Sequence, residues 1–415
     1  MRVLLTAYGS RGDIEPMIGL AAQLRALGTE VRVCAPPDFA ELLDAAGLPL
    51  APIGQPVRPV ATGAVTGKAP MPAEGLAQRA AALVATTYDA VAAAAADCDA
   101  VVATGLLPAA AAARSAAEKL GIPYVFVAYF PSYLPSPHHP PFPRPGRPFP
   151  PEVTDNRVLW DLDVENMNVL FGTGLNAHRE TVGLPPVEHF RDYVLTDRPW
   201  LAADPVLSPW LQPADLDVLQ TGAWLRDEER PLPAGLEAFL AAGAPPVYVG
   251  FGSMPIRDAQ DVARAAVEAV RAQGRRVLLS GGWAGLALTD DDQDDCLAVG
   301  EVDHHALFPR VAAVVHHGGA GTTTTAALAG VPQVVVPQLA DQPYWAGRVA
   351  DLGIGSAHDG PTPTFESLSA ALEVALRPET RARAAAVADT IGADGAAVAA
   401  KLLLDVVGGA RGVSA

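Results

Sequence analysis

Short apolar runs alternate with segments of helical period along almost the whole chain. Val3–Ala7 is apolar except for one threonine, the pattern of a strand covered on both faces of a parallel sheet. Pro16–Leu27 repeats its apolar residues at helical spacing, with proline in the first turn and Gly28 as the stop. Glu30–Ala35 predicts the next strand, and Phe39–Ala46 a helix closed by Gly47. Ala100–Ala103 and Pro123–Ala128, with helices between them, extend the alternation. The class this predicts is α/β, a doubly wound parallel sheet.

Two segments interrupt the pattern. Pro131–Pro151 holds ten prolines in 21 residues, so it predicts a long loop without helix or central strand, either structureless on the surface or semi-rigid and lining a binding cleft. Between Leu201 and Leu232, prolines at 205, 209, 213 and 231 mark a second change. Alternation then restarts: strand Val247–Phe251, helix Ala259–Gln273, strands Arg276–Ser280, Val311–Val315 and Gln333–Pro337, and helix Tyr344–Leu352. With 415 residues, two domains are expected. Their predicted bounds are 1–205 and 218–392, with a linker at 206–217 and a final helical segment, 393–415, returning across them. Two Rossmann-like sheets in tandem predict a cleft faced by the carboxyl ends of both, where open α/β sheets bind ligands.

Bulk properties narrow the partners. A net charge of -17 argues against nucleic acid or an anionic membrane as the main partner. Cys34, Cys98 and Cys296 are scattered and lack metal-ligand spacing, so neither a disulfide framework nor a zinc cluster is expected. Val3–Ala7 is too short for the core of a secretory leader, and Ala90–Ala117 is broken by Asp97, Asp99, Pro108 and Arg114. The expectation is a cytoplasmic, soluble protein.

The chemistry concentrates where predicted strands end. After the strand at 312–315 come His316 and His317, then Gly318, Gly319 and Gly321 before a threonine run that opens a helix. Such a turn leaves backbone N–H groups at the positive end of the helix dipole, a site suited to phosphate. The two histidines sit on an extended end and point to opposite faces, so only one of them meets a ligand. Gly9-Ser10-Arg11-Gly12-Asp13 follows the first strand; it is neither a dinucleotide fingerprint nor a Walker loop. Asp13 is there either a general base or a helix-capping acid. Phe251-Gly252-Ser253 holds the matching place in the second half. Asp341-Gln342-Pro343 offers acceptors and donors together, as sugar hydroxyls require, or alternatively a helix cap. Trp283 either stacks on a base or packs.

Together these residues resemble the nucleotide-sugar-dependent glycosyltransferases of the two-domain GT-B fold, over the whole chain. His317-Gly318-Gly319-Ala320-Gly321-Thr322 matches their donor motif H-x-G-x-x-S/T, and Asp341-Gln342 their acidic-residue-plus-glutamine pair. Ala203-Asp204-Pro205, Gln220-Thr221-Gly222 and Ala357-His358-Asp359-Gly360 are similar to the actinobacterial glycopeptide-antibiotic branch. Gly281 departs from it, standing where a basic residue is expected. The resemblance implies inverting, metal-independent transfer of a sugar from a TDP- or UDP-sugar to a hydroxyl of a glycopeptide aglycone, with no cofactor. It implies Asp13 as base and Asp341 and Gln342 on the donor sugar. Ser10, Arg11, Gly12, Ser253, Trp283, Val302, His317, Gly318, Gly319, Gly321 and Thr322 are expected on the donor nucleotide. Tyr129, Tyr133, His138, His139 and Phe142 are expected around the acceptor. A nucleotide-sugar 2-epimerase and a degenerate accessory protein are the competing readings.

Overall fold

In a computed structural model, residues 1–58, 73–226, 230–253, 256, 258–282, 285–286 and 294–413 are described. They form two compact units: one joins the described residues up to 226 to the returning segment from Ala393, and the other contains those from 230 to Gly392.

The first unit is built on β1 (Arg2–Tyr8), β2 (Glu30–Ala35), β3 (Leu50–Pro52), β4 (Ala100–Gly105), β5 (Tyr124–Ala128), β6 (Trp200–Leu201) and β7 (Leu219–Gln220). These pair in the order β3-β2-β1-β4-β5-β6-β7, every neighbour parallel. Val3, Leu4 and Leu5 of central β1 are fully buried, as an apolar strand inside a doubly covered sheet must be.

The first helix, Arg11–Ala26, starts one turn earlier than its apolar period suggests, and Pro16 lies inside it. Its start is fixed by a capping box. The Ser10 hydroxyl accepts the Gly12 N–H at 3.2 Å, and the Asp13 carboxylate accepts the Ser10 N–H at 2.7 Å.

The segment expected as a linker, 206–217, lies within the first unit, and the chain remains there to Arg226. Gln220 on β7 holds the segment back: its amide donates to Ala203 O at 2.8 Å and Ser208 O at 2.9 Å, and its carbonyl accepts the Trp210 N–H at 3.1 Å. The proline-bearing segment is thus folded back onto a sheet edge. The terminal helix, Gly395–Val413, packs on helix Arg11–Ala26 in this same unit. Its entry requires glycine, since a Cβ on Gly395 would stand 2.3 Å from the Gly222 carbonyl carbon.

The proline-rich stretch is more ordered than expected. Pro131–Tyr133 makes a 3-10 turn, and Arg144 pairs at 2.8 Å with Asp163, which is fully buried. Asn156 donates to Pro137 O and the Trp160 indole to His139 O, each at 2.9 Å.

The second unit carries β8 (Val247–Gly250), β9 (Val277–Ser280), β10 (Cys296–Val299), β11 (Ala313–His316), β12 (Gln333–Val335) and β13 (Gly355–Ala357). Their order is β10-β9-β8-β11-β12-β13, again all parallel. Val247, Val249 and Val315 face one apolar cluster, while Tyr248, Leu278 and Val314 face another. Both sheet faces are therefore covered, and ligand access is left to the strand ends. Among the described residues, no helix is long and apolar enough to cross a membrane.

Candidate functional site

Each sheet has a switch point, where neighbouring strands continue in opposite directions and leave a crevice at their carboxyl ends. In the second unit it lies between β8 and β11. β8 leads into Phe251-Gly252-Ser253 and β11 into His317-Gly318-Gly319.

His317 is 8% exposed, and among the described residues its Nδ1 has no hydrogen-bond partner. Its ring lies between two glycines. A Cβ on Gly252 would come 3.1 Å from Cε1, and one on Gly319 would come 2.6 Å from Nε2. Burial, together with the neighbouring His316 and His304, lowers its pKa to about 3, so the ring is neutral. An orphaned buried nitrogen costs roughly 1–3 kcal/mol, a cost that a hydrogen-bonding ligand would remove.

Beside it, helix Ala320–Leu328 begins at Gly319, which has no side chain to cap it. The first-turn N–H groups of Ala320, Gly321 and Thr322 are left to a ligand. Gly321 is exposed and Thr322 half-buried. Thr323 and Thr324 turn their hydroxyls onto Gly319 O and Ala320 O, at 2.9 and 2.8 Å. Gly318 adopts φ +91, a backbone that only glycine takes readily. An uncapped N-terminus with an unpartnered imidazole at its mouth is suited to an anion.

The rest of the expected donor set is arranged as follows. Ser253 is half-buried beside Gly252, itself at φ +56. Val302 packs against the second apolar cluster. Trp283 lies outside the described residues. Asp341 occupies the N-cap position of helix Gln342–Asp351 without capping it; its carboxylate accepts the Trp345 indole N–H at 2.8 Å. Gln342 is buried, and its carbonyl accepts the N–H groups of Gln338 and Leu339 at 2.7 and 3.1 Å. That folds the loop before it, where Ala340 is held at φ +56, a strained conformation for alanine.

The switch point of the first unit lies between β1 and β4, and Gly9-Ser10 leave β1 there. The capping and base readings of Asp13 turn out to be compatible. Its carboxylate closes the capping box, yet burial outweighs the hydrogen bonds from Ser10 and raises its pKa to about 6. Gly9 makes room for it: a Cβ there would lie 2.1 Å from Asp13 Oδ2. In the sequence the only signal for this role of Gly9 is a glycine directly before an N-cap serine. The other phosphate candidates of this segment have local partners. Ser10 is the cap, and the Arg11 guanidinium pairs with Glu15 at 2.8 Å.

Of the residues expected around the acceptor, Tyr129 touches the Asp13 backbone, its hydroxyl donating to the Asp13 carbonyl at 3.3 Å. Tyr133 donates to Gly105 O at 3.1 Å, and Phe142 meets Phe130 edge-on. His138 and His139 each place Nε2 2.9 Å from a backbone carbonyl, of Pro213 and Leu134 respectively. Among the described residues, no group of three His, Cys, Asp or Glu side chains could hold a metal ion.

Comparison with known proteins decides the family. Residues 3–136 match the glycosyltransferase family 28 N-terminal domain, and residues 290–402 the erythromycin biosynthesis protein CIII-like C-terminal domain. Glycosyltransferase GtfE of Amycolatopsis orientalis is 57% identical over 408 residues, covering 98% of each chain. This chain belongs to the glycosyltransferases. The vancomycin aglycone glucosyltransferase of that organism is 56% identical, and its dTDP-epi-vancosaminyltransferase 53%, each again over 98% of both chains. The solved glycosyltransferase VinC in complex with dTDP is similar at a TM-score of 0.68 and 23% identity, over 98% of this chain and 99% of that one. The glycosyltransferase of kitacinnamycin gives a TM-score of 0.72 at 21% identity, over 98% of both chains. The expected GT-B fold is thereby borne out.

Proposed function

We propose that this glycosyltransferase moves a sugar from a nucleoside-diphosphate donor, a TDP- or UDP-sugar, to a hydroxyl of a glycopeptide aglycone or its partly glycosylated form. The observation that carries the donor half is the orphaned His317 Nδ1 beside the uncapped helix at Ala320. The acceptor class rests on two relatives, 56% and 53% identical over 98% of the chain, that are named as a vancomycin aglycone glucosyltransferase and a dTDP-epi-vancosaminyltransferase.

Asp13 takes the proton of the acceptor hydroxyl. The acceptor oxygen attacks the anomeric carbon from the face opposite the diphosphate, and the bond from that carbon to the diphosphate oxygen breaks. Configuration inverts and the nucleoside diphosphate leaves. Charge gathers on the leaving phosphates, where preorganised N–H donors stabilise it most. The amides of Ala320, Gly321 and Thr322, the Ser253 hydroxyl and His317 supply those donors. His317, being neutral, acts as a hydrogen-bond donor and not as a cation. Asp341 and Gln342 bind donor hydroxyls, and the ordered proline-rich stretch around Tyr133 and Phe142 contacts the aglycone. A pKa of about 6 makes Asp13 a stronger base than an ordinary carboxylate while leaving it mostly ionised at neutral pH.

Incubation of a nucleotide-sugar panel with and without vancomycin- and teicoplanin-type aglycones tests this reading. The expected result is a glycosylated aglycone with the aglycone present, and unchanged or slowly hydrolysed donor without it. An epimerised sugar from donor alone identifies a 2-epimerase. Absence of transfer with every pair, from folded protein, identifies an accessory role.

A further inference from the structure

The donor turn rests on a buried chain of hydrogen bonds that runs in one direction. His316, the last residue of β11, is completely buried, and so is Gln333, the first residue of the neighbouring strand β12. The Gly318 N–H donates to His316 Nδ1 at 3.1 Å. His316 Nε2 lies 2.9 Å from Gln333 Oε1, and Gln333 Nε2 donates to Thr323 O at 3.2 Å. A backbone N–H can only donate, so His316 Nδ1 must accept. The ring hydrogen is thereby assigned to Nε2, which donates to Gln333, and the glutamine amide points its NH2 group at the helix. Burial lowers the His316 pKa to about 4, in keeping with the neutral form that this pattern requires. Every polar atom in the chain has its partner, which is what makes such a buried network specify one geometry.

The geometry it specifies is that of the turn. His317 lies between His316 and Gly318 in the chain, and the Gly318 amide is the anchored one. Its other side is equally confined: a Cβ there would stand 2.7 Å from Val335 Cγ1 and 3.2 Å from Gln342 O. Thr323, at the far end of the chain, belongs to the first turns of the helix whose amides are uncapped. The chain therefore ties the strand end, the turn and the helix start into a single unit, reaching across to β12.

We propose that His316 and Gln333 are positioning residues for donor binding. The neutral Nε2–H form of His316, held by Gln333, fixes the Gly318 amide. It thereby aims His317 and the free amides of Ala320–Thr322 at the diphosphate, while neither side chain touches the donor. This rests on the reading of that turn as the diphosphate site.

The experiment measures thymidine and uridine diphosphate affinity by calorimetry on the full chain, with thermal melts of each variant. His316→Leu removes the acceptor for Gly318. His316→Asn restores it, because an asparagine oxygen accepts from the amide two residues on. Gln333→Leu removes the partner that holds the tautomer. Expected are dissociation constants raised about tenfold or more for His316→Leu and Gln333→Leu, with most of the affinity recovered in His316→Asn. Wild-type affinity in folded His316→Leu and Gln333→Leu, with only their melting temperatures lowered, overturns the proposal. So does a folded His316→Asn that binds as weakly as His316→Leu. A readout without any variant is nitrogen NMR of histidine-labelled protein. An Nε2–H tautomer at His316 between about pH 5.5 and 8 is expected, around and above the ordinary histidine pKa, and an Nδ1–H tautomer overturns the proposal. His317→Ala separates the two levels. If it leaves affinity unchanged, the diphosphate reading itself fails; if it weakens binding while the His316 and Gln333 variants do not, only the positioning role fails.

Discussion

Replacing Asp13 by asparagine sets catalysis against stability in a single variant. The asparagine keeps a side-chain oxygen for the Ser10 N–H, so the capping box survives while the ionisable group is lost. Removing a general base costs typically 10²–10⁴ in rate, so turnover is predicted to fall at least about 10²-fold with nucleoside diphosphate affinity retained. Stability moves the other way. A carboxyl whose pKa is about 6 in the fold against an ordinary value of 3.8 is destabilising once ionised, by about 3 kcal/mol, and partial solvent access at the helix start reduces this to about 1–2 kcal/mol. The stability that protonation brings is fully present below about pH 4, is lost as pH rises through about 6, and is absent above. Asp13→Asn is therefore predicted to be more stable than wild type at pH 8 and nearly equal to it near pH 4. Urea unfolding at both pH values, followed through the tryptophans of the first unit (Trp160, Trp200, Trp210 and Trp224), gives the difference. Initial rates at saturating donor give the catalytic half. Near-normal turnover removes Asp13 from the chemistry, and an equal stability loss at both pH values refutes the strained-carboxylate account.

Other consequences are more local. The wild-type rate should rise with pH through about 6 as Asp13 ionises, with a slope of one in the logarithmic plot; a flat profile from pH 5 to 8 contradicts that assignment. Gly9→Ala forces a Cβ to within 2.1 Å of the Asp13 carboxylate, so kcat should fall while nucleoside diphosphate affinity, measured by calorimetry, stays unchanged. His317→Ala should weaken that affinity about tenfold to a hundredfold, the roughly 1.5–3 kcal/mol that a hydrogen bond to a charged group is worth. Asp163→Ala leaves Arg144 of the proline-rich stretch without its buried partner and should cost about 3–5 kcal/mol by urea unfolding, with acceptor KM rising more than donor KM.

The sequence is most informative where one short stretch contains the whole argument. The strand-to-turn passage at 314–322 announces an anion site because apolar run, glycines and helix start are contiguous, and the orphaned His317 sits within it. Parallel strands such as Val3–Ala7 are legible for the same reason. What depends on distant partners is not legible. The prolines between 205 and 213 read as a linker, but Gln220 folds that segment back onto the sheet. The late apolar period suggests that the first helix starts near Pro16, whereas a four-residue hydrogen-bond pattern at Ser10–Asp13 starts it at Arg11. The stretch 131–151 looked free of structure because its anchors, Asn156, Trp160 and Asp163, lie beyond it. Gln333 is seventeen residues from His316 and becomes its neighbour only when β12 pairs with β11.

A structure of the full chain with thymidine or uridine diphosphate bound is the most direct test of the account. It should show phosphate oxygens within hydrogen-bond distance of the Gly321 and Thr322 amides, with a nitrogen of the His317 ring turned to the ligand. Phosphates bound elsewhere, with the helix start at Ala320 still open to water, would contradict it.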